Sequence, residues 1–197
     1  MPPVVHSFDP PERFVPGTVG EPGQRTFFLQ ARTGARVTSV ALEKQQVQIL
    51  GERIAELLDE LISSGETRST IPAVMPVDLA DAEPLEQPIE EEFRAGTITL
   101  SWDTSDERVV IEVFPITEAN VTIEADEASM IELPIDEPEP DEVLLVRMPA
   151  SMARAFAARA ATVVAAGREP CPFCGGPMDP QGHLCPRANG FRRTPQA

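Results

Sequence analysis

The sequence of 197 residues has few of the groups on which general acid–base catalysis usually depends. It contains two histidines, no tyrosine and a single lysine, Lys44. Outside the carboxylates, the stock of proton-transfer groups is therefore small. Positive charge is also scarce, because 16 Lys+Arg oppose 32 Asp+Glu and the formal net charge is −16. This balance argues against a protein that, as a whole, wraps nucleic acid or lies on an anionic membrane.

Long apolar runs are also missing. The most apolar stretch, near the C-terminal helix, is interrupted by Arg154, Arg159 and Arg168 and falls short of the ~20 residues that span a bilayer. Met1 to Asp9 lack the basic start and apolar core of a secretory signal. We therefore expect a cytoplasmic, acidic protein with no membrane partner.

Local patterns predict an α+β fold with a mainly antiparallel sheet built from two hairpins. In the first hairpin, β-rich runs over 26–31 and 37–42 flank a turn-forming stretch that contains Gly34. In the second, similar runs cover 97–102 and 108–114. His6 is interpreted as a strand residue rather than a catalytic base.

Two helices are predicted to pack on this sheet. Between residues 43 and 64, apolar side chains recur every three or four positions, and Gly65 suits the C-terminal cap. A short strand over 143–148 leads into an alanine-rich helix over 151–166. Its small side chains predict a close approach to the sheet.

Acidic and proline-rich stretches separate these elements. We expect loops near 78–92 and 118–142, the latter mobile at its end, with a strand over 71–77 before the first loop. The expected organisation is an α+β body over 1–166, followed by a zinc knuckle and basic tail over 167–197.

All three cysteines lie within fifteen residues near the C-terminal end, in the pattern C-x2-C-x8-H-x-C. A Cys-Pro-x-Cys-Gly turn lets two thiolates converge on one metal ion, and a histidine and a third cysteine complete a tetrahedral set suited to Zn²⁺. The segment has little with which to form a core, so coordination would supply its folding free energy. The predicted zinc ligands are Cys171, Cys174, His183 and Cys185.

Four protein ligands leave no position for an activated water, which favours a structural zinc. If His183 or Cys185 did not bind, Asp179 or water could substitute, and the case for a structural zinc would weaken. A zinc deaminase, which also carries P-C-x-x-C, needs H-x-E upstream of it. The only upstream histidine, His6, is followed by Ser7 and Phe8, so this alternative fails.

Three functional hypotheses remain open. The leading one is an interaction or scaffold module that presents residues of the tail to a protein partner: Arg187, Asn189, Phe191 and Arg192. The second is an enzyme with a polar site near the first hairpin and helix, at Gln24, Arg25, Lys44 and Gln45. The third is binding of single-stranded nucleic acid through the tail, where Arg193 adds to the charge; residues 149 to 197 carry a net +4, whereas 41 to 148 carry −21.

Three stretches of the chain carry a resemblance to a known family. They cover 14–30, 40–46 and the cysteine-rich end, from Cys171 to Cys174 and from Gly182 to Gly190. In these stretches the chain resembles an uncharacterised bacterial domain-of-unknown-function family of about this length, a conserved hypothetical protein. The resemblance implies a cysteine-rich end and carries over no activity.

Overall fold

Seven strands and two helices lie in the part of the chain that the structure, a computed structural model, describes: residues 3–21, 23–65, 71–116, 141–167, 171–174, 178, 185 and 187. The strands are β1 (Val4–Phe8), β2 (Arg13–Val19), β3 (Thr26–Thr33), β4 (Arg36–Leu42), β5 (Glu91–Asp103), β6 (Arg108–Pro115) and β7 (Glu142–Pro149). The helices are α1 (Lys44–Ser64) and α2 (Ala150–Ala165), and a single 3-10 turn covers Val77–Leu79.

The strands form one sheet in the order β1-β7-β6-β5-β4-β3-β2. Four of its six pairings are antiparallel; β1 with β7 and β4 with β5 are parallel. A parallel pair needs a long connection, and α1 supplies it between β4 and β5. The predicted α+β fold with a mainly antiparallel sheet and two helices is therefore confirmed.

Both predicted hairpins are present. β3 pairs with β4 around a turn in which Gly34 has φ of +58°, a conformation that favours glycine. β5 pairs with β6, and β5 begins at Glu91, six residues before the predicted run. The local patterns do not predict β2, because Pro16 and Gly17 interrupt its β-type residues. β2 lies at the edge of the sheet, where a proline is tolerated.

The two helices match the predicted spans closely and pack against each other. α1 begins with a capping box between Glu43 and Gln46 and ends at Gly65, whose φ is +66°. Small side chains set the distance between the helices, since a Cβ added to Gly51 would lie 2.8 Å from the Cβ of Ala160. α2 also packs on β2, and the ring of its Phe156 stacks on that of Phe14 with centroids 4.8 Å apart.

The predicted loop near 78–92 lacks regular structure up to Glu90, apart from the 3-10 turn, and is tied to the body by buried and half-buried polar groups. Arg13 Nε donates to Asp81 Oδ2 at 2.6 Å, and Arg159 Nη1 donates to Asp81 Oδ1 at 2.6 Å. These contacts, the hydrogen bond from Arg13 above all, hold the pKa of Asp81 below its ordinary value. Buried Gln30 and the backbone of Glu86 hydrogen-bond each other reciprocally.

The strand expected over 71–77 is wrong. The segment is irregular as far as Pro76, and the 3-10 turn begins at Val77. Pro72 and Pro76 lack the N–H that a sheet requires, and the carbonyl of Pro72 instead accepts a hydrogen bond from Arg154 Nε at 3.0 Å. Ile71 is buried, whereas Val77 is 88% exposed. Among the described residues, neither pairs with a strand of the sheet.

The second acidic stretch, expected over 118–142, lies outside the described residues as far as residue 140. The boundary expected between body and knuckle near residue 166 stays a prediction. Among the helices that the structure describes, neither combines the length and the apolar character required to cross a membrane.

Candidate metal centre

The three cysteine side chains converge on one point. Their sulfur atoms all lie within 4.8 Å of one another, and 3.8 Å separates the sulfurs of Cys171 and Cys185. This is far longer than the ~2.05 Å of a disulfide bond, and none of the three cysteines forms a disulfide. Two sulfurs that each lie about 2.3 Å from a tetrahedral zinc ion are about 3.8 Å apart. The three sulfurs are therefore close enough together to hold one metal ion.

The turn over 171–174 brings hydrogen-bond donors to the sulfur atom of Cys171. The backbone N–H of Phe173 donates to Cys171 Sγ at 3.4 Å, and the backbone of Cys174 donates to it as well. Burial raises the pKa of the Cys171 thiol, but these hydrogen bonds and those with the neighbouring thiols outweigh it, so the pKa lies below its ordinary value. A lowered pKa favours the thiolate, which is the form that binds metal.

The described residues supply three of the four predicted ligands. Cys171 and Cys185 are buried and Cys174 is half-buried, as expected for ligands that share an ion. His183, the predicted fourth ligand, lies outside the described residues, so its role stays a prediction. The three cysteines can hold a metal ion; that the ion is zinc remains the sequence-based prediction.

Of the four predicted partner-binding residues, the structure describes Arg187. Its Nη1 donates to the carbonyl of Phe173 at 3.2 Å, which links the end of the segment to the cysteine turn. The side chain of Phe173 is 65% exposed. Asn189, Phe191 and Arg192 lie outside the described residues.

The polar site expected near the first hairpin and helix is assembled in part. A cavity of about 600 Å³ is lined by Arg25 and Lys44, together with Gly167 after the end of α2. Arg25 Nη2 donates to the carbonyl of Ala166 at 2.5 Å. Gln24 and Gln45 do not line this cavity, so the structure brings together two of the four predicted side chains.

The comparison with protein-family models gives a match over residues 6–185, to a family described as "Protein of unknown function (DUF3090)". The chain belongs to the DUF3090 family. The match confirms the resemblance noted from the sequence, and the DUF3090 match extends to Cys185, the last of the three cysteines. A search of curated proteins and a search of solved structures gave no match.

A second group of side chains that could hold a metal ion also lies within the matched residues 6–185, and the sequence patterns did not predict it. His6 of β1 lies beside Glu92 of β5 and Glu142 of β7. The expectation that His6 is a strand residue is confirmed. No local signal indicates the cluster, because the three residues come from distant parts of the chain and meet only through the pairing of the strands.

Proposed function

We propose that this protein is an interaction module whose C-terminal zinc site is structural. The proposed ligands are Cys171, Cys174, His183 and Cys185. The proposed partner-binding residues are Arg187, Asn189, Phe191 and Arg192. The observation that carries the proposal is the 3.8 Å separation between the sulfurs of Cys171 and Cys185, which matches two ligands of one tetrahedral zinc ion.

The surroundings of the thiols support a structural role for the ion. With His183 as the fourth ligand, the coordination shell is closed and offers no position for a substrate or an activated water. Two of the three cysteines are buried, and zinc binding would order a segment that contains little other apolar material. The metal then acts by shaping a surface.

That surface has the features of a protein-binding site. Phe173 presents an exposed ring on the cysteine turn, and Arg187 is held next to it by a hydrogen bond to the Phe173 carbonyl. Aromatic and arginine side chains contribute strongly to binding at protein interfaces. We therefore add Phe173 to the proposed partner-binding residues.

The test compares metal content and partner binding in three variants of the full chain. Cys174→Ser should lose one zinc ion per chain, measured by elemental mass spectrometry, whereas the control Asp179→Asn should keep it. Phe173→Ala should keep the metal but lose the partners that the unmodified chain captures in affinity purification. Absence of zinc from the unmodified protein, or partner binding that survives Cys174→Ser, would contradict the proposal.

The nucleic-acid hypothesis predicts a different result with the same proteins. Affinity for a single-stranded oligonucleotide should then fall steeply as salt rises, and it should disappear when Arg187, Arg192 and Arg193 are replaced by alanine. This result would replace the protein-partner proposal, since the same tail would be engaged.

A further inference from the structure

We propose that His6, Glu92 and Glu142 form a second metal site, which binds a divalent transition-metal ion such as Mn²⁺ or Zn²⁺. This site is built from the sheet and is separate from the cysteine centre. The proposal does not depend on the function proposed above.

The donor atoms of the cluster are close, but they are not hydrogen-bonded to one another. His6 Nε2 lies 3.6 Å from Glu142 Oε2 and 3.9 Å from Glu92 Oε1. An N–H···O hydrogen bond has its heavy atoms about 2.7–3.2 Å apart. Nitrogen and oxygen ligands about 2.1 Å from a tetrahedral ion are about 3.4 Å apart, so small side-chain rotations would bring these donors to ligand distance.

Two of the donor atoms are buried without a partner. Both His6 Nε2 and Glu142 Oε2 are shielded from solvent, and neither has a hydrogen-bond partner in the part of the chain that the structure describes. Buried polar atoms are nearly always hydrogen-bonded, so two such atoms facing each other require an explanation. A cation bound between the imidazole nitrogen and the carboxylate oxygen satisfies both atoms.

The register of the sheet explains how His6 and Glu142 meet. In the parallel pairing of β1 with β7, Val4 lies opposite Glu142 and His6 opposite Leu144. Alternate residues of a strand share a face, so His6 and Glu142 lie on the same face as Leu144 and Phe8, which are both buried. The donors therefore stand at the end of the apolar core, where the side chains of His6, Glu142 and Glu92 are 17%, 34% and 41% exposed.

The charge of the cluster also favours a divalent cation. Among the described residues, neither Glu92 nor Glu142 forms an ion pair with an arginine or lysine. The two carboxylates carry a charge of −2, which one divalent ion neutralises. Imidazole suits zinc and iron, and carboxylates suit manganese, so this mixed set fits a transition metal. The remaining coordination positions would be filled by water, as in sites that are open to substrates.

Mn²⁺ separates the two centres experimentally, because it prefers oxygen and nitrogen donors to thiolates. The full chain, prepared with a single zinc ion for the cysteine centre and no excess zinc, is titrated with Mn²⁺, and the free Mn²⁺ is followed by electron paramagnetic resonance. We expect one Mn²⁺ per chain and unchanged binding in Cys174→Ser. Changes in outer-shell partners lower metal affinity by about 10–100-fold. Glu142→Gln removes a direct ligand, so it should weaken Mn²⁺ binding by more than this.

Two further variants keep the test decisive. Glu60→Gln, an exposed position on α1, is the matched control and should bind Mn²⁺ like the unmodified chain. Glu92→Gln changes an exposed ligand, so it tests the site even if Glu142→Gln disturbs folding. Mn²⁺ should raise the melting temperature of the unmodified chain but not that of Glu92→Gln. Equal affinity for Mn²⁺ in the unmodified chain and both ligand variants would overturn the proposal.

Discussion

The body and the cysteine segment differ in what they bury. In the body, both helices and the sheet contribute to one apolar cluster, which includes Phe8, Leu29, Ile54 and Phe156. In the described part of the cysteine segment, the buried residues are Cys171 and Cys185, both of which carry sulfur. The body therefore has a hydrophobic source of stability, whereas we expect the segment to depend on metal binding by its thiols. We expect the two regions to respond independently to mutation and to loss of metal.

Removing the metal ion from the cysteine centre should have the largest effect, and this effect should be confined to the cysteine segment. Structural zinc contributes about 10–16 kcal/mol of apparent binding free energy in small zinc-finger peptides, far more than a single side chain. In the full chain, Cys174→Ser should make the bond after Arg187 sensitive to trypsin, while the melting temperature of the body stays unchanged. Mass spectrometry of the digest and thermal unfolding measure the two effects.

The unmodified chain treated with a chelator should give the same digest as Cys174→Ser. If Cys174→Ser lowered the melting temperature of the body as well, the two regions would share one cooperative unit and would not be independent.

A core substitution should destabilise the body and leave the zinc content of the cysteine segment unchanged. Leu58 of α1 is fully buried, so Leu58→Ala should lower the free energy of unfolding of the body by about 2–5 kcal/mol in urea denaturation. The matched control is Ile62→Ala on the same helix, where the side chain is 41% exposed and the loss should stay within about 1 kcal/mol. Zinc content should not change in either variant. A loss of zinc in Leu58→Ala would contradict the independence of the regions.

A smaller effect should come from the polar contacts that tie the acidic loop to the body. Asp81→Asn removes the charge that Arg13 and Arg159 share and should cost about 1–3 kcal/mol. Asp78→Asn, in the same loop but exposed, is the control and should change stability little.

The same contacts predict a dependence on pH. The pKa of Asp81 is lower in the folded chain than its ordinary value of 3.8, so the ionised carboxylate stabilises the fold above pH 3.8. This contribution should disappear as the pH falls below 3.8 towards the folded pKa. Unfolding curves at several pH values should therefore converge for the unmodified chain and Asp81→Asn at low pH. A constant difference would show that Asp81 acts through its shape rather than its charge.

Where the chain is locally regular, the sequence predicts the structure well. The hairpin around Gly34 and the helix that ends at Gly65 follow from side-chain period and from glycines with positive φ. The strand expected over 71–77 fails because β-type residues there alternate with prolines, and no neighbouring strand accepts them. β2 is the opposite case. Pro16 and Gly17 argue against a strand in the sequence, but β2 lies at the edge of the sheet, where both residues are tolerated.

The two candidate metal centres also differ in whether the sequence alone predicts them. The cysteine pattern is readable because its members lie within fifteen residues and a turn brings the first two together. The cluster of His6, Glu92 and Glu142 has no spacing that could reveal it, since β1 and β7 are separated by more than a hundred residues along the chain.

Elements with a local cause can be predicted from the sequence alone: the hairpins, the helices, the acidic middle and the cysteine pattern. The order of the strands, the attachment of the acidic loop through Asp81 and the proximity of His6 to two carboxylates are visible only in the folded chain. Strand pairing and ion pairing join residues that are distant along the chain. Their free energy depends on which surfaces come together, and a local pattern does not carry that information.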